Sequence, residues 1–87
     1  MRILYFSTRT CAPCAQFKPI VMSVCSTMGV QLDMYDAIER QDLANQYGVS
    51  SVPTLIIMNS SGAVIGRQTG AMPKAQFQET LTRYQNQ

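Results

Sequence analysis

Arg2 is followed by four consecutive apolar or aromatic residues, Ile3-Leu4-Tyr5-Phe6, and then by a polar stretch, Ser7-Thr8-Arg9-Thr10. An apolar run without alternation predicts a strand buried on both faces, as in a sheet covered by helices. The period then changes. From about Cys11 to Thr27, the residues Phe17, Ile20, Val21, Val24 and Cys25 recur at helical spacing and give a helix one apolar stripe. Thr10 is a suitable N-cap for this helix, and Gly29 a suitable C-cap. Pro13 suits the first turn, where its missing N–H has no acceptor in any case. Pro19 lies inside the helix and is expected to kink it.

The remaining pattern is read in the same way. Val30 to Tyr35 is a second strand. Asp36 to Tyr47 reads as a short helix, with Asp36, Glu39 and Asp42 towards its N-terminal part and Gly48 ending it. Val52-Pro53-Thr54 opens a β-prone run, Leu55-Ile56-Ile57-Met58. Asn59-Ser60-Ser61-Gly62 is a turn, and Ala63 to Gln68 is a strand folded back as a hairpin. Gly70 breaks that strand, and Pro73 to Tyr84 is a final helix with Phe77, Leu81 and Tyr84 on one stripe. The order β-α-β-α-β-β-α combines a parallel βαβ unit with an antiparallel hairpin. It predicts an α/β domain with a central four-stranded mixed sheet flanked by helices on both faces. No repeat, linker or low-complexity segment interrupts it, so residues 1–87 are expected to form one domain.

Composition narrows the function. The chain is 46% hydrophobic and 14% charged, with only five glycines and four prolines, so low charge does not signal disorder. The net charge of +2 is spread over Arg2, Arg9, Lys18, Arg40, Arg67, Lys74 and Arg83. Without a basic cluster, direct nucleic-acid binding is not expected. No stretch approaches the roughly 20 apolar residues of a membrane span. Three cysteines do not make a secreted disulfide framework, and the N-terminal apolar run is too short for a signal peptide. These features lead us to expect a cytoplasmic protein, where thiols are kept reduced and a reactive CxxC is catalytic or metal-binding.

That CxxC is Cys11-Ala12-Pro13-Cys14. Its cysteines are one helical turn apart, so both sulfurs can lie on one face and form a dithiol that closes and reopens. The start of a helix offers free N–H groups and partial positive charge, which stabilise a thiolate on Cys11 and make it nucleophilic. The competing reading is half of a zinc site. Tetrahedral zinc needs four N or S ligands, and the chain has three cysteines and no histidine. Redox chemistry without metal or other cofactor is therefore expected. Cys25, on the inner stripe, and the six methionines are read as core residues. Arg9 and Lys18 are read as solvated neighbours of the dithiol.

Five features together resemble thioredoxin over nearly the whole chain. They are the Cys11-Ala12-Pro13-Cys14 motif after a strand, Pro19 five residues past the second cysteine, and Asp36 ending the second strand. The others are Tyr47-Gly48-Val49 leading to Val52-Pro53-Thr54, and Gly70-Ala71 before the last helix. The resemblance implies a thioredoxin fold and a redox-active centre that carries electrons to protein disulfides. It implies that Cys11 attacks a substrate disulfide and that Cys14 resolves the mixed disulfide. It further implies a cis-proline at Pro53 facing the dithiol, and a substrate groove formed by Ala12, Pro13, Val52, Pro53, Gly70 and Ala71, with Tyr35 as an apolar wall. Partners are then disulfide-containing proteins and a reductase, either thioredoxin reductase or the glutathione system, acting on a monomer.

The chain departs from that family at several places. Thr10 stands where a tryptophan is usual, and the inner pair is Ala12-Pro13 rather than Gly-Pro. Tyr5 and Leu32 occupy the positions of a buried aspartate and a nearby lysine that manage the resolving thiol's proton. Two rival readings are a glutathione-recycled, glutaredoxin-like enzyme and a thioredoxin-fold binding subunit whose thiols are incidental.

Overall fold

A computed structural model describes residues 1–86; the expected domain range, 1–87, also takes in Gln87, which lies outside the described residues. The four strands are β1 (Arg2–Ser7), β2 (Gln31–Asp36), β3 (Thr54–Met58) and β4 (Val64–Thr69), in the order β2-β1-β3-β4. β1 pairs parallel with β2 and antiparallel with β3, and β3 pairs antiparallel with β4. The sheet is mixed. The two central strands are the most apolar, because only they have a neighbour on each edge and a layer on each face.

Side chains of β1 and β3 alternate between two cores. Ile3, Tyr5, Leu55 and Ile57 face a layer formed by α1 (Ala12–Met28) and α3 (Lys74–Gln85), where they meet Phe17, Val21, Val24, Phe77 and Leu81. Leu4, Phe6, Ile56 and Met58 face the opposite layer, which contains Ala44 of α2 (Gln41–Gln46). Helices therefore cover both faces, and the element order is the one the hydrophobic pattern implies.

The boundaries move where side chains intervene. α1 begins at Ala12, and its N-cap is Cys11 rather than Thr10. The sulfur itself does the capping, since the Cys14 N–H donates to Cys11 Sγ at 3.1 Å. Gly29 ends α1 as expected, at φ +69°, and the helix continues through Pro19. β2 starts one residue later than expected, because the Val30 N–H donates to the Cys25 carbonyl at 2.9 Å and belongs to the cap of α1. The largest correction concerns α2, expected from Asp36 and found only from Gln41. Asp36 Oδ1 accepts the N–H groups of Ile38 and Glu39, at 2.8 and 3.1 Å, and folds residues 37–40 into a separate turn. At the far end of the sheet, Asn59 Oδ1 accepts the N–H groups of Ser61 and Ala63, closing the β3–β4 turn. α3 starts after Pro73, which serves as its N-cap.

Candidate active site

β1 ends beside the start of α1, and the chain between them, Thr8-Arg9-Thr10, brings Cys11 to the helix N-terminus. Cys11 and Cys14 are joined by a disulfide, with their Cα atoms 5.2 Å apart. Their surroundings differ. Cys14 is 2% exposed, and Cys11 is only partly buried. Cys11 Sγ sits at the cap position and accepts the Cys14 N–H. A helix N-terminus and a donated hydrogen bond both favour negative charge on that sulfur once the disulfide opens.

Beneath the dithiol, the Tyr5 hydroxyl donates to the Cys14 carbonyl at 2.8 Å, and both groups are buried. The pattern of residues could not reveal this bond. It links the central strand to the first turn of α1. Burial raises the Tyr5 pKa, so its hydroxyl stays protonated and acts as a donor, not as a base. A cavity of about 250 Å³ opens onto both cysteines and is also lined by Ser7, Arg9, Lys18 and Asp36.

The Val52–Pro53 peptide is cis. The Pro53 carbonyl accepts the Gly70 N–H at 2.9 Å, so the β3 entry and the β4 exit adjoin. Gly70 has φ +91°, a conformation that favours glycine, and Ala71 follows it exposed. Ala12 and Pro13 are exposed at the start of α1. Tyr35, like Val52, packs against the core cluster of Leu4, Phe6 and Ile56. Its ring packs on Phe6, 5.7 Å between centroids, with the Arg40 guanidinium 5.5 Å from its centre, on the side of the sheet that carries α2.

The dithiol and the layered sheet correspond to a known family. The family model described as thioredoxin matches residues 1–83. The chain belongs to the thioredoxin family. It is 33% identical over 76 residues to a thioredoxin of Bacillus subtilis, covering 85% of this chain and 72% of the relative. It is 32% identical over 76 residues to a thioredoxin of Synechocystis, covering 85% and 70%. Thioredoxin 1 of Thermosipho africanus superposes with a TM-score of 0.87 at 26% identity, covering 99% of this chain and 96% of that one. The chain is accordingly a thiol–disulfide oxidoreductase with protein-disulfide reductase activity, its redox pair being Cys11 and Cys14. The family implies protein substrates and a reductase that restores the dithiol. Among the described residues, no helix is long and apolar enough to cross a membrane.

Cys25, outside the redox pair, is 1% exposed, and burial pushes its thiol from 9.0 up to about 11. The folded state thus favours the protonated thiol more than the unfolded chain does. This contribution to stability is fully present below about pH 9 and is lost as pH rises through about 11. The expected loss is about 1–3 kcal/mol. Urea midpoints at about pH 8 and pH 11 measure it. Tyr5 shifts in the same direction, so the part due to Cys25 is the difference between the native chain and Cys25→Ala.

Proposed function

We propose that the chain acts as a single-domain, monomeric reductant of cytoplasmic protein disulfides, with Cys11 as the attacking thiolate and Cys14 as the resolving thiol. The asymmetry of the two sulfurs carries this assignment, since Cys11 is reachable and capped by an N–H while Cys14 is buried. In the first step Cys11 sulfur bonds to one substrate sulfur, and the other substrate sulfur leaves as a thiolate that takes a proton from water. In the second step Cys14 loses its proton and attacks Cys11. The Cys11–Cys14 disulfide forms, and the substrate's second thiolate departs. Tyr5 is a protonated donor, so the cavity adjoining both sulfurs supports water as the carrier of the Cys14 proton. Val52, Pro53, Gly70 and Ala71, with Ala12 and Pro13, form the groove for an extended substrate segment. The Gly70–Pro53 hydrogen bond, which holds the two rims together, supports this arrangement.

The reduction potential of the Cys11–Cys14 pair tests the direction of the chemistry. Equilibration in graded thiol buffers, followed by trapping and mass counting of free thiols, should give a value near the roughly −270 mV of thioredoxins. A value above about −180 mV would indicate an oxidant or isomerase instead. Recycling should be faster with NADPH and thioredoxin reductase than with glutathione and its reductase; the reverse order would replace thioredoxin reductase by the glutathione system.

A further inference from the structure

Ile38 is 71% exposed, more than any other large hydrophobic side chain described as exposed. Single exposed apolar residues are ordinary; this one is distinguished by its fixation and its position. It belongs to neither core cluster, so the fold makes no use of its apolar surface. Its turn is nevertheless tied down on both sides. The Ala37 N–H donates to the Ser7 carbonyl at 2.8 Å, at the end of β1. Asp36 Oδ1 accepts the Ile38 N–H, and the Glu39 carboxylate pairs with Arg9 at 2.6 Å. An apolar side chain is thus held in water on a turn anchored to the loop that delivers Cys11.

Two shallow cavities meet at Ile38. One, of about 220 Å³, is shared with Arg9, Thr10, Asp36 and Glu39, and so reaches the residue before Cys11. The other, of about 210 Å³, is shared with Ala37, Ala44, Val49 and Val52, and so reaches the residue before the cis-proline. Ile38 therefore stands between the approach to the nucleophile and the rim of the groove. Thr10 is small and polar and offers little apolar area there, whereas Ile38 offers a branched one.

The geometry points to Ile38 as a specificity-determining residue for protein disulfides, packing against an apolar side chain that flanks the substrate cysteine in an extended segment. This rests on the assignment of Cys11 as the attacking thiol. Small disulfides have no flanking residues and cannot use the contact.

The experiment compares single-turnover rate constants of pre-reduced protein with insulin and with hydroxyethyl disulfide, quenched by acid and counted by mass. The readout is the ratio of the insulin constant to the hydroxyethyl disulfide constant. Ile38→Asp should lower this ratio about tenfold, as loss of one well-placed apolar contact does, and Ile38→Leu should keep it within about twofold. An unchanged ratio for Ile38→Asp, or an equal fall with both substrates, would overturn the inference. A mixed disulfide with hydroxyethyl disulfide formed by Cys11→Ser and not by Cys14→Ser would instead overturn the Cys11 assignment on which it rests.

Discussion

Cys11→Ser is expected to lower protein-disulfide reduction by about a thousandfold or more, and Cys14→Ser to stop turnover while leaving the first attack intact. The two losses differ because the steps differ. Serine at position 11 has no thiolate for the helix N-terminus to stabilise, so no bond to the substrate sulfur forms. Serine at position 14 leaves Cys11 free to attack but offers no sulfur to resolve the adduct, and substrate remains bound. Cys25 cannot substitute for either, since it is buried and its thiol is held protonated. Mass spectrometry under non-reducing conditions should find a covalent substrate adduct with Cys14→Ser and none with Cys11→Ser. The opposite pattern would exchange the roles of the two cysteines. If both variants kept the biological role, the binding-subunit reading would be correct.

The fold was largely legible because its signals are local. Uninterrupted apolar runs marked the two central strands, and a period change after Thr10 marked α1. Less legible were the points where a side chain competes with the backbone. Cysteine is not among the usual N-cap residues, so Thr10 was the natural choice, yet the Cys11 sulfur takes the N–H. Asp36 at the end of β2 looked like the acidic start of a helix. Its carboxylate instead folds the next residues into a turn, and α2 is left with six residues. A chain-order pattern of this kind does not say which carbonyl or N–H a side chain will reach.

The site divides along the same line. The dithiol and the Val52-Pro53 segment were visible from composition, spacing and resemblance. The hydrogen bond from Tyr5 to the Cys14 carbonyl pairs positions nine residues apart across a strand and a helix, and no periodicity encodes it. Ile38 had a faint signal, one branched apolar residue among the polar residues Glu39, Arg40, Gln41 and Asp42. The place of Tyr35 can be read from the strand pattern. Strand alternation places it beside Phe6, its partner in the β1–β2 register, and so on the α2 side of the sheet. The alternation in β1, where Tyr5 faces α1 and Phe6 does not, is the signal for that placement.

Phe17→Ala should be the most damaging single truncation in α1, costing about 3–5 kcal/mol from lost burial and the cavity left behind. Phe17 lies three residues after Cys14 on the same helix and is 1% exposed. Its ring meets Tyr5 edge-on at 6.1 Å and Phe77 edge-on at 5.4 Å, so it joins β1, α1 and α3 in one aromatic row. At about 0.05–0.15 kcal/mol per residue, a chain of 87 residues has only about 4–13 kcal/mol of stability. The truncation would remove about a quarter of that or more. Phe17→Leu keeps much of the volume and should cost about 1–2 kcal/mol. Met22, 45% exposed on the same helix, provides the contrast: Met22→Ala should cost less than about 0.5 kcal/mol. Urea unfolding of the three variants, all in the oxidised form, orders them. Because the same row seats the first turn of α1, pre-reduced Phe17→Ala should also expose Cys14 to alkylation faster than the native chain does. If Phe17→Ala and Met22→Ala unfolded at the same midpoint, the aromatic row would not be what holds α1, and with it the dithiol, on the sheet.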